Sequence, residues 1–328
     1  MSIELGSGSI NEIRLGATEI KKVYLGSNLI YDKTFSYLYD IEPFFYGISA
    51  ARQLRSGQTL VERDRRTDNT EADISFIANE KTLSSPSTVG TTLGGFVGSG
   101  DAFANNPYDQ SGANFIVEQS IANDQPQSVS SGALVTSVGK PAWDNTNSSG
   151  WKSSSNFDLS AESEVWFFAV AELETLGGTV SSDILGIGNT TGGASAGGGL
   201  NKSIRLGFAP AGNLKLQYRI GNNGLNYFFI SNEAFADGRY LMTVKLKANS
   251  PFASAAQIWV NGNALTRTSQ GSNDTTGLPN LPLSVLFADR TPQAPLNGKA
   301  QEILIYKGNQ SANRAAIEAD INAYYNIY

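Results

Sequence analysis

Apolar residues at the start of this chain recur at a fixed interval of ten. Ile3-Glu4-Leu5-Gly6, Ile13-Arg14-Leu15-Gly16 and Val23-Tyr24-Leu25-Gly26 repeat in register, and Ile10, Ile20 and Ile30 mark the same later phase of each unit. Such a unit predicts a short strand, a Gly-containing turn and a second short strand. Three units of this size bury very little. Leu5, Leu15, Leu25, Ile10, Ile20 and Ile30 therefore read as an attachment face that a partner surface or sister chains complete.

Further along, the period is two. The run Glu164 to Ala171 is almost continuously apolar, as in a strand buried on both faces. Ile204 to Phe208, Leu214 to Ile220 and Tyr227 to Ser231 alternate apolar and polar residues. Turns are expected at Ala211-Gly212-Asn213 and at 221–224. Tyr240 to Lys247 would put Leu241, Thr243, Lys245 and Lys247 on one face and Met242, Val244 and Leu246 on the other. Gln257 to Val260 runs into Asn261-Gly262, a hairpin signal, and Leu283 to Ala288 and Ala300 to Tyr306 add strands.

Shorter strands are expected at Thr59 to Arg66, Ile74 to Ala78 and Phe115 to Gln119, with a turn at 67–70 and a short helix over Ser49 to Leu54. The clearest helix is C-terminal, with Ser311 as its expected N-cap and Ile317 and Ile321 at helical spacing. Many strands with almost no helix predict an all-β sandwich, with a repeat segment over 1–32, a connector over 33–47 and a body over 48–328.

Composition narrows the chemistry. The 328 residues include 34 Gly and only 16% charged residues, a balance that suits turns and a neutral polar surface. A net charge of -6 argues against nucleic acid as a partner, which would need a basic face. The chain has no His and no Cys, so Ser-His-Asp and Cys-His catalysis, disulfides and His- or Cys-ligated metals are excluded. No Asp-x-Asp-x-Asp loop offers a calcium site, so no metal and no cofactor is expected. The Gly-rich stretch Gly186 to Leu200 lacks the strand-to-helix setting of a phosphate cradle and reads as a surface loop. No basic leader precedes an apolar run, and no membrane span is evident. The expectation is synthesis in a cytoplasm and, for work outside it, exit by a route other than secretion, of which release within a virus particle is one.

The second half resembles the laminin-G/concanavalin A-like jelly-roll superfamily. The resemblance rests on Phe157-Asp158-Leu159-Ser160 leading into the Val165–Val170 strand, Ile258-Trp259-Val260-Asn261-Gly262, the stretch from Leu296 to Tyr306, and the closing segment from Ser311 to Glu318. The first part of the body resembles the catalytic domain of fungal-type arabinofuranosidase B and its relatives among phage structural proteins. It does so through Leu54-Arg55-Ser56-Gly57, the stretch from Arg65 to Ile74, Gly98-Ser99-Gly100-Asp101-Ala102-Phe103 and Tyr108-Asp109-Gln110-Ser111-Gly112. Gln125-Pro126, Val129 to Gly132 and Gly139 to Ala142 extend it. The chain lacks the cysteines of the fungal enzymes. The N-terminal Leu-Gly repeat is similar to segments that open phage tail and virion proteins.

These resemblances imply a concanavalin A-like jelly-roll body on a bacteriophage virion protein, a tail-fibre, spike or decoration subunit. Its expected partners are other virion proteins through the N-terminal segment, host-surface glycan, and sister chains in a homo-oligomer such as a trimer. Sugar is commonly held on exposed aromatic faces beside Asn, Asp and Gln. Trp143 and Trp151 flank the polar stretch 144–150 and form the leading pair, although packing between sheets is the reading favoured over ligand contact even for them. Tyr108 and Asp109 are further candidates, though Asp109 also fits a turn-holding role.

The cluster Arg63, Asp64, Arg65, Arg66, Asp68, Glu71 and Asp73 reads either as recognition of an acidic sugar or as an internal network fixing loops. A virion-borne glycoside hydrolase is the competing function. It would need two carboxyl groups about 5–9.5 Å apart, for which Glu162, Glu164, Glu172, Glu174 and Asp183 are available. No catalytic residue is assigned among them, and a purely structural decoration protein is the third reading.

Overall fold

The computed structural model describes residues 13–15, 18–20, 22–25, 28–32, 44–55, 58, 60–77, 80–86, 96–145, 150–174, 182–188, 203–208, 213–220, 225–250, 256–270, 277–286 and 294–328. Leu5, Ile10, residues 33–43, most of the Gly-rich loop, residues 146–149 and most of the turns at 211–213 and 221–224 lie outside them.

Each described N-terminal unit is a hairpin. Ile13–Leu15 pairs with Thr18–Ile20, and Lys22–Leu25 pairs with Asn28–Asp32. Leu15, Ile20, Leu25 and Ile30 all fall within these strands, as the ten-residue period predicts.

The body is an antiparallel sandwich with the jelly-roll character expected of it. Among the described residues its larger sheet has thirteen strands. From one edge it runs through Asn263–Ala264, Ala256–Val260, Gly238–Lys247 and Glu164–Leu173 to Gly298–Lys307. There it forks. Phe44–Ser49 pairs with residues 302–306 of that last strand, whereas Trp143–Asp144 pairs with Lys299 and Ala300. Beyond the fork follow Gln127–Ser130, Ala102–Pro107, Leu60–Arg66, Glu71–Ile77 and Glu80–Pro86. The facing sheet has eight strands among the described residues. Trp151–Asp158, Asn280–Val285 and Ser182–Ile187 lead through Ser203–Phe208, Asn213–Ile220 and Leu225–Ala234 to Arg267–Gln270.

Strand period explains the layering. Along Glu164–Leu173, Val165, Phe167, Ala169 and Ala171 point between the sheets, while Trp166, Phe168 and Val170 point outward. The outward set is covered by the C-terminal helix Arg314–Tyr325, through Ile317, Ile321 and Tyr325. Met242, Val244 and Leu246 face inward on the neighbouring strand and Leu241 outward, as their alternation predicts. Asn261 and Gly262, at φ 50° and 77°, form the tight turn expected of an Asn-Gly pair.

Four local expectations are corrected. Helix Arg314–Tyr325 is preceded by Asn313, not Ser311, because the Ser311 amide is held by the Asn309 side chain in a turn. Ala50 to Leu54 is bent rather than helical. The Ser49 hydroxyl accepts from the amides of Ala51 and Arg52, and the Arg52 side chain is drawn across the sheet. Phe115 to Gln119 forms a single bridge, Glu118 to Lys152, instead of a strand. Finally, Phe44 to Gly47 belong to the large sheet with Tyr46 wholly buried, so the body begins before residue 48.

The helix is seated by a buried ion pair. Arg52, 3% exposed, donates from Nε and Nη2 to both oxygens of Glu302, at 2.7 Å each, and from Nη1 to Asp320 on the helix at 2.6 Å. Tyr325 Oη donates to Glu302 at 3.1 Å from the helix side. Removing the guanidinium leaves a buried carboxylate without its partner, which costs more than the intact pair contributes. Arg52→Ala is expected to lower the unfolding free energy by about 3–5 kcal/mol in denaturant titration. A loss below about 1 kcal/mol would show that the pair does not seat the helix.

Candidate functional site

The leading aromatic pair is core. Trp143 and Trp151 are both 0% exposed and meet edge-to-face with ring centroids 5.1 Å apart. Trp143 Nε1 donates to Glu62, and Trp151 Nε1 donates to the Ala104 carbonyl at 2.8 Å. Both rings fill the space between the sheets with their polar ends satisfied, so neither offers a face to sugar. Trp166 and Trp259 are stacked in the core beneath the helix, as expected. Asp109 is likewise structural. Its carboxylate accepts from the amides of Gly47, Ser111 and Phe115 at 2.9–3.0 Å and from the Ser111 hydroxyl at 2.8 Å.

Four of the carboxylates available for hydrolysis fall at or beside the two ends of one strand, and at one end Glu172 and Glu174 meet on a single lysine. Glu164 and Glu172 lie at opposite ends of one strand, eight residues or about 27 Å apart. Each is engaged locally. Glu164 accepts from Trp166 Nε1 at 2.6 Å, Glu162 pairs with Lys307 at 3.4 Å, and Glu172 and Glu174 both pair with Lys299. These are ion-paired strand ends. Asp183 lies in the facing sheet, on the Ser182–Ile187 strand.

A different acid pair escaped the sequence reading. Glu62 and Asp64, two apart on Leu60–Arg66, share one face of their strand and are both 0% exposed. Glu62 Oε2 accepts from Trp143, and Asp64 Oδ2 accepts from the Ser128 hydroxyl at 2.9 Å. The other oxygen of each has no hydrogen-bond partner among the described residues. Burial, then the charge of Asp64, pushes Glu62 well above the ordinary carboxylate range. Burial pushes Asp64 up to about 7. Both groups are sealed from solvent, so the pair has no access to a glycosidic bond.

The opposite face of the same strands is open. Ala102–Pro107, Leu60–Arg66 and Glu71–Ile77 lie side by side, with Arg63 directly across from Asp73 and Arg65 across from Glu71 and Phe103. Arg63 Nε donates to Asp73 Oδ1 at 2.7 Å, and Tyr108 Oη donates to the same oxygen at 2.6 Å. Asn105 donates to Glu71 at 3.0 Å. The Arg63 side chain is 43% exposed and that of Asp73 15%. Burial and then the bond to Asp73 push the Tyr108 phenol up to about 12, so it remains a donor. Burial opposes ionisation of Asp73, but the bonds from Arg63 and Tyr108 outweigh it and hold the carboxyl below its usual range.

The rest of the charged cluster splits between the two readings. Arg65 is buried over the Phe103 ring, and its donors go to Gln125, Asn69 and the carbonyls of Arg66 and Ala122. Arg66 stacks on Phe96 and grips Asp68 across the turn. Those two arginines form the internal network. Arg63, with Asp73 and Tyr108, is left presenting polar groups to solvent, so Tyr108 alone of the four predicted sugar contacts reaches an exposed surface.

No known protein family matches the chain, and no curated protein matches it. Among solved structures, a GH54 α-L-arabinofuranosidase soaked with a cyclic sulfate inhibitor superposes with a TM-score of 0.52 at 16% identity, covering 85% of this chain. An arabinofuranosidase complexed with arabinofuranosyl-alpha-1,2-xylobiose gives 0.51 at 16% identity over the same 85%. This chain covers 62% of each of those chains. A carbohydrate-binding module (CBM40) of Ruminococcus gnavus IT-sialidase bound to alpha2,6 sialyllactose gives 0.31 at 17% identity, over 46% of this chain and 85% of its own. At these identities the arabinofuranosidases share the fold, and nothing finer is carried across.

The buried acid pair sets a pH dependence. Both folded-state values lie above those of the unfolded chain, so the fold holds extra protons and is most stable below the unfolded carboxylate range. Unfolding free energy should fall on the order of 1–4 kcal/mol as pH rises from about 4 through 7. Asp64→Asn should flatten that slope in urea titrations across the range, whereas an unchanged slope would place the extra protons elsewhere.

Proposed function

We propose that this chain is a bacteriophage virion protein whose jelly-roll body binds host-surface glycan without cleaving it. The observation that carries the binding reading is the open Arg63–Asp73–Tyr108 cluster, where a donor, an acceptor and an aromatic ring share one exposed patch of a rigid sheet. Sugars need this combination, since hydroxyl groups seek paired hydrogen bonds while the C–H face of the ring seeks an apolar platform. Three adjacent strands fix the patch, which limits the ordering cost of binding.

Cleavage is disfavoured by the same geometry. The exposed acids are neutralised by lysines, Glu172 and Glu174 by the same one, and the acid pair that lacks a cation is buried. The N-terminal hairpin repeat supports attachment to a particle, because two-stranded units of this length need an external surface to be stable. Copies assembled side by side would multiply a weak sugar affinity through effective concentration.

The reading is tested by adsorption of the purified protein to intact cells of candidate hosts. Arg63→Ala/Tyr108→Ala should reduce adsorption at least about tenfold while leaving the melting temperature within a few degrees. Undiminished adsorption would remove this face from the account, and no adsorption to any host would favour a decoration role. Deleting residues 1–32 should abolish incorporation into particles and leave the body folded by circular dichroism. Particles that still carry the truncated protein would contradict the anchoring role.

A further inference from the structure

The glycan-binding reading leaves open which sugars the face accepts, and the pairing within it bears on that choice. Resting on that reading, we propose that the Arg63–Asp73–Tyr108 face selects neutral glycans with vicinal hydroxyls and disfavours sugars that carry a carboxylate.

Arg63 is already neutralised. Its Nε bonds Asp73 Oδ1, which also accepts from Tyr108 Oη. A sugar carboxylate could take a paired bond from this guanidinium only by displacing Asp73. That exchange replaces one carboxylate with another and leaves Asp73, 15% exposed, without its cation. Glu71, exposed on the same face and bonded to Asn105, adds a second negative charge beside the first. Arg65 does not compensate, because it is buried over Phe103 with its donors held by Gln125, Asn69 and two backbone carbonyls. Among the described residues of this face, the accessible charges are therefore Arg63 against Asp73 and Glu71, an excess of one negative.

A vicinal diol meets no such conflict. One hydroxyl can accept from the solvent-facing edge of the Arg63 guanidinium. Its neighbour can donate to the second oxygen of Asp73, which has no hydrogen bond among the described residues. The existing ion pair stays intact while both bonds form. Tyr108 supplies the adjoining ring, with its hydroxyl held in place by Asp73. Selectivity then arises from repulsion of the acidic competitor as much as from attraction of the neutral one.

The test compares binding of the full chain to matched glycan pairs that differ only by a carboxylate-bearing residue, by surface plasmon resonance at fixed ionic strength. Wild type should bind the neutral member at least about tenfold more tightly. Asp73→Asn should weaken the neutral glycan and narrow or reverse the preference, since Arg63 is then freed. Tyr108→Phe, which keeps the ring, should weaken neutral binding about three- to tenfold with an unchanged melting temperature. Tighter binding of the acidic member by wild type would overturn the proposal while leaving the glycan reading standing. Neutral binding that none of these substitutions alters would overturn this face as the site. Failure of wild type to bind any member would instead overturn the glycan-binding reading on which the proposal rests.

Discussion

One strand that meets water on neither face organises this protein. Glu164–Leu173 carries apolar side chains in both directions, so it must be covered twice. The eight-stranded sheet covers one side and the C-terminal helix the other. Burying a Phe or Trp side chain stabilises by roughly 1.5–3 kcal/mol, and this strand contributes Trp166, Phe167 and Phe168 at 1% exposure each. The polar residues are consequently pushed to the strand ends, where Glu164 and Glu172 find lysines. Glu164 and Glu172 cannot act on one bond, because the length of the strand separates them.

Buried charge is the second organising feature, and it is handled in two ways. Arg52 and Glu302 form a fully engaged pair that ties the sheet to the helix through Asp320 and Tyr325. Glu62 and Asp64 have no cation among their hydrogen-bond partners, and a proton takes that place. The second arrangement lies directly behind the open face, since Arg63 alternates with Glu62 and Asp64 along one strand. The same alternation that hides two acids therefore presents the guanidinium to solvent.

The long apolar runs were legible because period-two burial leaves an unambiguous trace. The Glu164 strand, the Met242–Val244–Leu246 face, the Asn261-Gly262 turn and the closing helix all stand where the pattern places them. The open Arg63–Asp73–Tyr108 face was less legible. The cluster around Arg63, Asp64 and Arg65 reads either as sugar recognition or as an internal network until its neighbours show that Ala72, Ile74 and Ala104 share the acids' side of the sheet. Trp143 and Trp151 were misleading for a related reason. Their polar surroundings in sequence suggest display, but the groups that satisfy their indole N–H bonds lie 81 and 47 residues away. Asp109 reads either way from its local turn motif, and its bonds from the amides of Gly47, Ser111 and Phe115 decide for the structural role.

The most direct measurement is hydrogen exchange of the full chain with and without a receptor glycan, read residue by residue. Protection gained on binding should concentrate in residues 61–66, 71–75 and 103–108, the three strands behind Arg63, Asp73 and Tyr108. Protection confined instead to the sheet end around Glu172, Glu174 and Lys299 would contradict the account, because it would place the ligand at a different charge cluster of the body.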